Sequence, residues 1–143
     1  MKAVIDASVV VKWFLPDAAV EPDSAKALLL LKHIRDGDVE PLQPPHWLAE
    51  VAAVIARLKP EIAEDAIDLL DAMEFPIISE PAIYKRAVVI ASGLGQHLFD
   101  TLYHALALER SATLISADHR YCAKAASLGH VIRLTDWESA ELG

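Results

Sequence analysis

The chain has 143 residues, 54% of them hydrophobic, and a formal net charge of -8. That length suits one compact domain over 1–143, and the apolar share supplies a core that a disordered chain lacks. Sequence-independent phosphate binding relies on clustered Lys and Arg, so the acidic balance argues against broad nucleic-acid adhesion; it leaves open a site where carboxylates collect divalent cations that reverse the local field.

Ala3-Val4-Ile5 is a short apolar run ending at Asp6 and reads as a buried strand. Val9 to Leu15 follow as a short helix stopped by Pro16, whose ring disfavours helical geometry in the residue before it. Asp23 or Ser24 can cap a helix running to about Gly37, with Ala27, Leu28, Leu31 and Ile34 at helical spacing. A connector rich in proline, Pro41 to Pro45, precedes a third helix with Leu48, Val51, Ile55 and Leu58 as its buried stripe. Pro60 opens a fourth over Glu61 to Met73.

Pro76-Ile77-Ile78-Ser79 reads as a second strand, and Pro81 opens a helix ending at the Gly93-Leu94-Gly95 turn. The next helix runs from near Phe99-Asp100 to about Arg110. Ala112 to Ser116 is the clearest strand, bounded by a polar stretch that begins with Asp118. A helix from about His119 to Leu128, a strand at Val131-Ile132-Arg133 and a short helix from Thr135 complete the order. Strands separated by helices imply a mainly parallel central sheet covered on both faces, a three-layer α/β/α sandwich.

No apolar run reaches the roughly 18 residues of a membrane span, because Lys12, Lys32 and Arg57 interrupt the most hydrophobic stretches. Met1-Lys2 leads straight into a strand and an acid, without the features of a signal peptide. Cys122 is the single cysteine and has no disulfide partner. These features together suggest a cytoplasmic protein.

Two acids, Asp6 and Asp118, fall immediately beyond the carboxyl ends of strands, where open α/β sheets build their ligand sites. Side chains alternate along a strand, so Ser8 lies near Asp6 and Ser116 near Asp118 if extended geometry persists; hydroxyl and carboxylate oxygens together suit a hard cation or its waters. The bland reading of each pair is a turn or helix cap. Glu50 is the only acid on the third helix and sits among Ala49, Ala52 and Ala53, which suggests partial burial and the need for a partner. Asp100 opens a helix, and cap chemistry alone would explain it. His104 lies one turn further on the same face, a position that packing usually accounts for.

The segments together form a pattern. Val4-Ile5-Asp6-Ala7-Ser8-Val9-Val10-Val11-Lys12-Trp13 resembles the opening of PIN domains, especially the VapC-type toxins of bacterial toxin–antitoxin pairs. Leu48-Ala49-Glu50-Val51 matches the family's second acid, Phe99-Asp100-Thr101-Leu102-Tyr103-His104-Ala105-Leu106-Ala107 its third, and Leu114-Ile115-Ser116-Ala117-Asp118 its fourth. The match covers nearly the whole chain, and Ser116 stands where the family often has Thr, which keeps the hydroxyl. The resemblance implies an α/β/α sandwich, a Mg2+- or Mn2+-dependent endoribonuclease site for single-stranded or looped RNA, a homodimer and an inhibitory antitoxin.

On that reading Asp6, Asp100 and Asp118 bind the metal, while Glu50 completes the cluster or orients the attacking water. Four neighbouring carboxylates should repel, leaving at least one that holds a proton more tightly than a free acid. Lys12, Arg120 and Lys124 are candidates for a local basic rim along RNA. A receiver domain would need a lysine after Ser116, and an aspartyl phosphatase a second Asp where Ser8 stands. Gly93-Leu94-Gly95 follows a helix and stops it rather than cradling a nucleotide. The six histidines show no pair at zinc-binding helical spacing. The remaining alternative is a non-catalytic interaction module of the same fold.

Overall fold

The computed structural model describes residues 1–15 and 23–137. Its central sheet has four parallel strands among those residues: β1 (Lys2–Ile5), β2 (Glu40–Pro41), β3 (Thr113–Ser116) and β4 (Val131–Arg133), in the order β2-β1-β3-β4. Ala3, Val4, Ile5, Leu114 and Ile115 are essentially without exposure. Strands covered on both faces read as continuous apolar runs, which is why these two stood out in the sequence.

The helices are α1 (Ala7–Val10), α2 (Ser24–Arg35), α3 (Trp47–Leu58), α4 (Ala63–Ala72), α5 (Pro81–Leu94), α6 (Leu98–Glu109) and α7 (His119–Lys124). Helix α6 packs on β1 and β3 with α5 against it, while α1 contacts β3 and α3 packs on α1. The α/β/α sandwich expected from the sequence is thus the observed architecture.

Several local expectations change. The first helix begins at Ala7, capped by Asp6, and tightens into a 3₁₀ turn over Val11–Trp13; Pro16 lies outside the described residues, as does any continuation of the terminal helix beyond Trp137. Neither Asp23 nor Ser24 caps α2 through its side chain: Asp23 adopts a left-handed backbone, and the Ser24 hydroxyl donates to the Leu15 carbonyl at 3.3 Å. The buried stripe of α3 is Trp47, Val51 and Ile55, spaced four apart; Leu48 is half-buried and Leu58 exposed, because the helix leaves the core at its end. The strand expected at 76–79 reduces to one bridge between Ile77 and Gln43, for Ile77 is 49% exposed and finds no second neighbour to pair with. The strand on that side of β1 is instead β2, whose Pro41 has no N–H to give and is tolerated at a sheet edge. Gly95 ends α5 at φ 63°, as its place after the helix required.

Candidate active site

The register Ala3↔Thr113, Val4↔Leu114, Ile5↔Ile115 sets the carboxyl ends of β1 and β3 side by side, and the Asp6 N–H donates to the Ile115 carbonyl at 3.0 Å. From β1 the chain proceeds to β2 on one side, and β3 lies on the other. The gap between β1 and β3 is therefore the topological switch point, where such sheets open a crevice. Asp6 and Asp118 both stand at it.

Asp6 caps α1, accepting the Ser8 N–H at 3.0 Å. The Ser8 hydroxyl accepts the Ala117 N–H at 3.0 Å, tying the end of β1 to the segment that leads to Asp118. The Ser116 hydroxyl is buried and accepts the Asp118 N–H at 3.1 Å. Asp118, itself exposed, caps α7 by accepting the Tyr121 N–H at 3.0 Å. Each serine thus stands beside its acid, and each is engaged with backbone in doing so. The cap reading of these segments is observed, and the caps leave both acids at the ends of β1 and β3.

Glu50 projects from the first turn of α3 and is partly buried. The Tyr103 hydroxyl donates to its Oε1 at 2.6 Å, and His46 Nε2 lies 3.4 Å from the same oxygen. His46 Nε2 is also 2.8 Å from the Phe99 carbonyl; a carbonyl only accepts, so that nitrogen carries the proton. The ring packs between Tyr103 and Phe99, at 4.7 and 5.3 Å between centroids, with Nδ1 buried and without a hydrogen-bond partner. Asp100, in the first turn of α6, accepts from Gln96 Nε2 at 2.8 Å.

The electrostatics join the acids. Burial pushes the Asp6 carboxyl up to about 6, the Ser8 bonds oppose this, and the charges of Glu50 and Asp100 add to the rise. One acid does hold its proton tightly, as expected, but desolvation rather than mutual repulsion is the chief cause. Burial acts on Glu50 in the same sense, yet the bonds from His46 and Tyr103 and the nearby His46 charge outweigh it and hold Glu50 below its ordinary value. Tyr103 is driven far above its usual range by burial and by the charges of Asp6 and Glu50. Tyr121 is raised by burial and by Asp100, Asp6 and Asp118. Glu50 and Asp100 therefore both act on Asp6, and Asp118 shares with Asp6 and Asp100 the space around Tyr121.

Among the described residues, the arginine ion pairs go to Asp36, Glu109, Glu80 and Asp136 rather than to these acids. Lys12 is only 4% exposed, so the expected open rim does not include it: the 3₁₀ turn that carries it packs into the molecule. Arg120 is exposed. Lys124 lies 3.5 Å from the Gly95 carbonyl and 3.2 Å from Gln96 Oε1, beside the amide that binds Asp100.

A divalent cation of the Mg2+ type takes oxygen donors, and the four acids with their serines are such a set. Among the described residues no three His, Cys, Asp or Glu side chains come close enough to hold a metal together. Mg2+ keeps several waters and commonly uses only one or two carboxylates, so the donors fit an ion held partly through water. Among the described residues, an apolar cleft of about 520 Å³ lies away from these acids, between Leu28, Leu31 and Phe75.

Sequence reasoning passed over Tyr103, His46, Gln96 and Gln43. Gln43 is wholly buried, and its amide donates to the Ile5 carbonyl and accepts the Ile5 N–H, both at 2.8 Å. It continues the β1 ladder by side chain at the residue before Asp6. Nothing in the proline-rich connector signals this; Tyr103 could have been suspected as a hydroxyl inside the apolar face that follows Asp100.

An α/β/α sandwich with acids gathered where β1 and β3 end defines a class, and comparison with known proteins agrees with it. Residues 3–127 match the model of the PIN domain, and the chain belongs to that family, whose members are generally nucleases. A solved structure described as a toxin-antitoxin complex from Klebsiella pneumoniae superposes with a TM-score of 0.68 at 17% identity, covering 92% of this chain and 97% of that one. At that identity the likeness speaks for the fold. No curated protein sequence matches.

Proposed function

We propose that the chain is a Mg2+- or Mn2+-dependent endoribonuclease, the toxin of a toxin–antitoxin pair, that hydrolyses RNA phosphodiester bonds at Asp6, Glu50, Asp100 and Asp118. The observation that carries the reading is that the charges of Glu50 on α3 and Asp100 on α6 both act on Asp6, at the end of β1. The ionised Asp6 carboxylate, with two further half-buried acids near it, costs the fold stability, and a site for cations gives that cost a use.

Asp6, Asp100 and Asp118 would hold the ion partly through its waters, and the ion would supply an activated water and stabilise charge on phosphoryl oxygens. Glu50 is kept ionised by Tyr103 and His46, and its remaining lone pairs can accept a hydrogen bond from the attacking water and orient it. Ser8 and Ser116 fix the backbone on which Asp6 and Asp118 stand. Arg120, with Lys124 beside it on α7, would meet the RNA phosphates. The likeness to the toxin–antitoxin structure supports an antitoxin as partner; the family resemblance implies a homodimer, and the sequence features place it in the cytoplasm as an expectation. An antitoxin arginine entering the crevice would compete with the cation for carboxylate oxygens.

Cleavage of total RNA by the purified chain in Mg2+ or Mn2+, its loss in chelator, and its loss in Asp6→Asn and Asp100→Asn are the expected results. A nuclease-free preparation of either variant cutting at the parental rate refutes the assignment. Expression should arrest growth of a host cell, and the protein encoded beside it should relieve the arrest. A second reading, a non-catalytic module of the same fold, draws on the absence of three gathered ligands among the described residues. Metal-dependent cleavage separates the two.

A further inference from the structure

Among the described residues, a polar network joins the helix of Asp100 to the helix of Asp118. His104 stands one turn after Asp100 on α6 and is fully buried. Its Nε2 is 2.7 Å from the Gly129 carbonyl. Since a carbonyl only accepts, Nε2 carries the proton and Nδ1 is left as an acceptor. The Tyr121 hydroxyl, 2.9 Å from Nδ1, therefore donates to it. Tyr121 lies in the first turn of α7, and its own N–H is the group that Asp118 caps. A second link runs from Lys124 on α7 to Gln96, whose amide donates to Asp100.

Helix α7 has six residues, too few to be stable by its own hydrogen bonds. Asp118 is exposed at its start, so packing of its own side chain does not orient it. We propose that His104 and Tyr121 are positioning residues that brace α7 against α6 and so set where the Asp118 carboxylate stands relative to Asp100. This rests on the carboxylate-site reading, and it gives His104 a role through Tyr121 rather than contact with substrate. The imidazole, anchored by Gly129 on one side, offers Tyr121 a fixed acceptor from the helix that bears Asp100.

Tyr121→Phe keeps the ring and removes only the hydroxyl. His104→Gln keeps an amide donor near the Gly129 carbonyl and removes the rigid ring Nδ1 to which Tyr121 donates. Ile83→Val, near the start of α5 and away from Gln96, serves as a core variant of modest stability loss. Two measurements on the full chain suffice: Mn2+ affinity by calorimetry, and amide exchange of Tyr121 and Cys122 relative to the β3 amides. Tyr121→Phe and His104→Gln should each weaken Mn2+ binding about five- to tenfold, the scale of one buried hydrogen bond, and speed exchange in the first turn of α7 selectively. The double variant should be no worse than either single one, because one interaction is lost in all three. Ile83→Val should leave Mn2+ affinity unchanged. Parental Mn2+ affinity in both single variants, or exchange that speeds equally throughout the protein, overturns the inference alone. An unaltered chain that takes up no Mn2+ overturns the carboxylate-site reading, and the inference with it.

Discussion

Replacing Asp6 with Asn should make the protein more stable at neutral pH and above while removing its activity. Asp6 has a folded value of about 6 against an ordinary 3.8, a rise of about two units caused first by burial. At about 1.4 kcal/mol per unit, the ionised carboxylate costs the native state about 3 kcal/mol in the absence of a cation. Between pH 4 and 6 the folded chain holds a proton that the unfolded chain has released, so stability falls as pH rises through this window and levels off above it. Asn is neutral at every pH, and its side-chain carbonyl can still accept the Ser8 N–H. The variant should therefore exceed the parent by up to about 3 kcal/mol at pH 8 in chelator, or by roughly 5–10 °C for a chain of this size. The gap should close by pH 4. Urea or thermal unfolding at a series of pH values measures it. Saturating Mn2+ should narrow or reverse the gap at pH 8, because the ion stabilises only the form that binds it. A gap of the same size at pH 4 and pH 8, or none at either, would refute the claim that a buried carboxylate burdens this fold.

Other perturbations test neighbouring links. Gln43→Leu leaves the Ile5 N–H and C=O without their 2.8 Å partners and should cost about 2–6 kcal/mol in denaturant unfolding; a loss below about 1 kcal/mol would show that the side chain does not carry the end of β1. Tyr103→Phe removes the 2.6 Å bond to Glu50 while burial persists, so the Glu50 carboxyl should titrate higher in carbon NMR. Because Glu50 is held low in the native state, it stabilises the fold above its unfolded value and that contribution fades as pH falls; the fading should be smaller in Tyr103→Phe, and an unmoved titration counts against the bond. Arg120→Gln should weaken RNA binding alike across sequences and lower the salt slope by about one charge, whereas an unchanged slope removes Arg120 from the phosphate track.

Asp6 and Asp118 were recognisable as strand-end acids because the runs Ala3-Val4-Ile5 and Leu114-Ile115 are apolar without a break and end at polar residues. Those are local properties, and so are the Pro60 and Pro81 helix starts and the left-handed Gly95 stop. The partial burial of Glu50 was legible too, from the alanines around it. What the sequence did not contain locally was pairing. Whether Ile77 becomes a strand depends on the neighbour it meets, and among the described residues it bridges only to Gln43. Whether Lys12 reaches solvent depends on how its 3₁₀ turn docks, and it docks inward. The hydroxyl that holds Glu50 comes from 53 residues away, and the amide that extends β1 from 38. A periodicity is read over a few residues; a partner across such separations is chosen by the packing of the whole chain, and that choice, not any motif, raises Asp6 and holds Glu50 low.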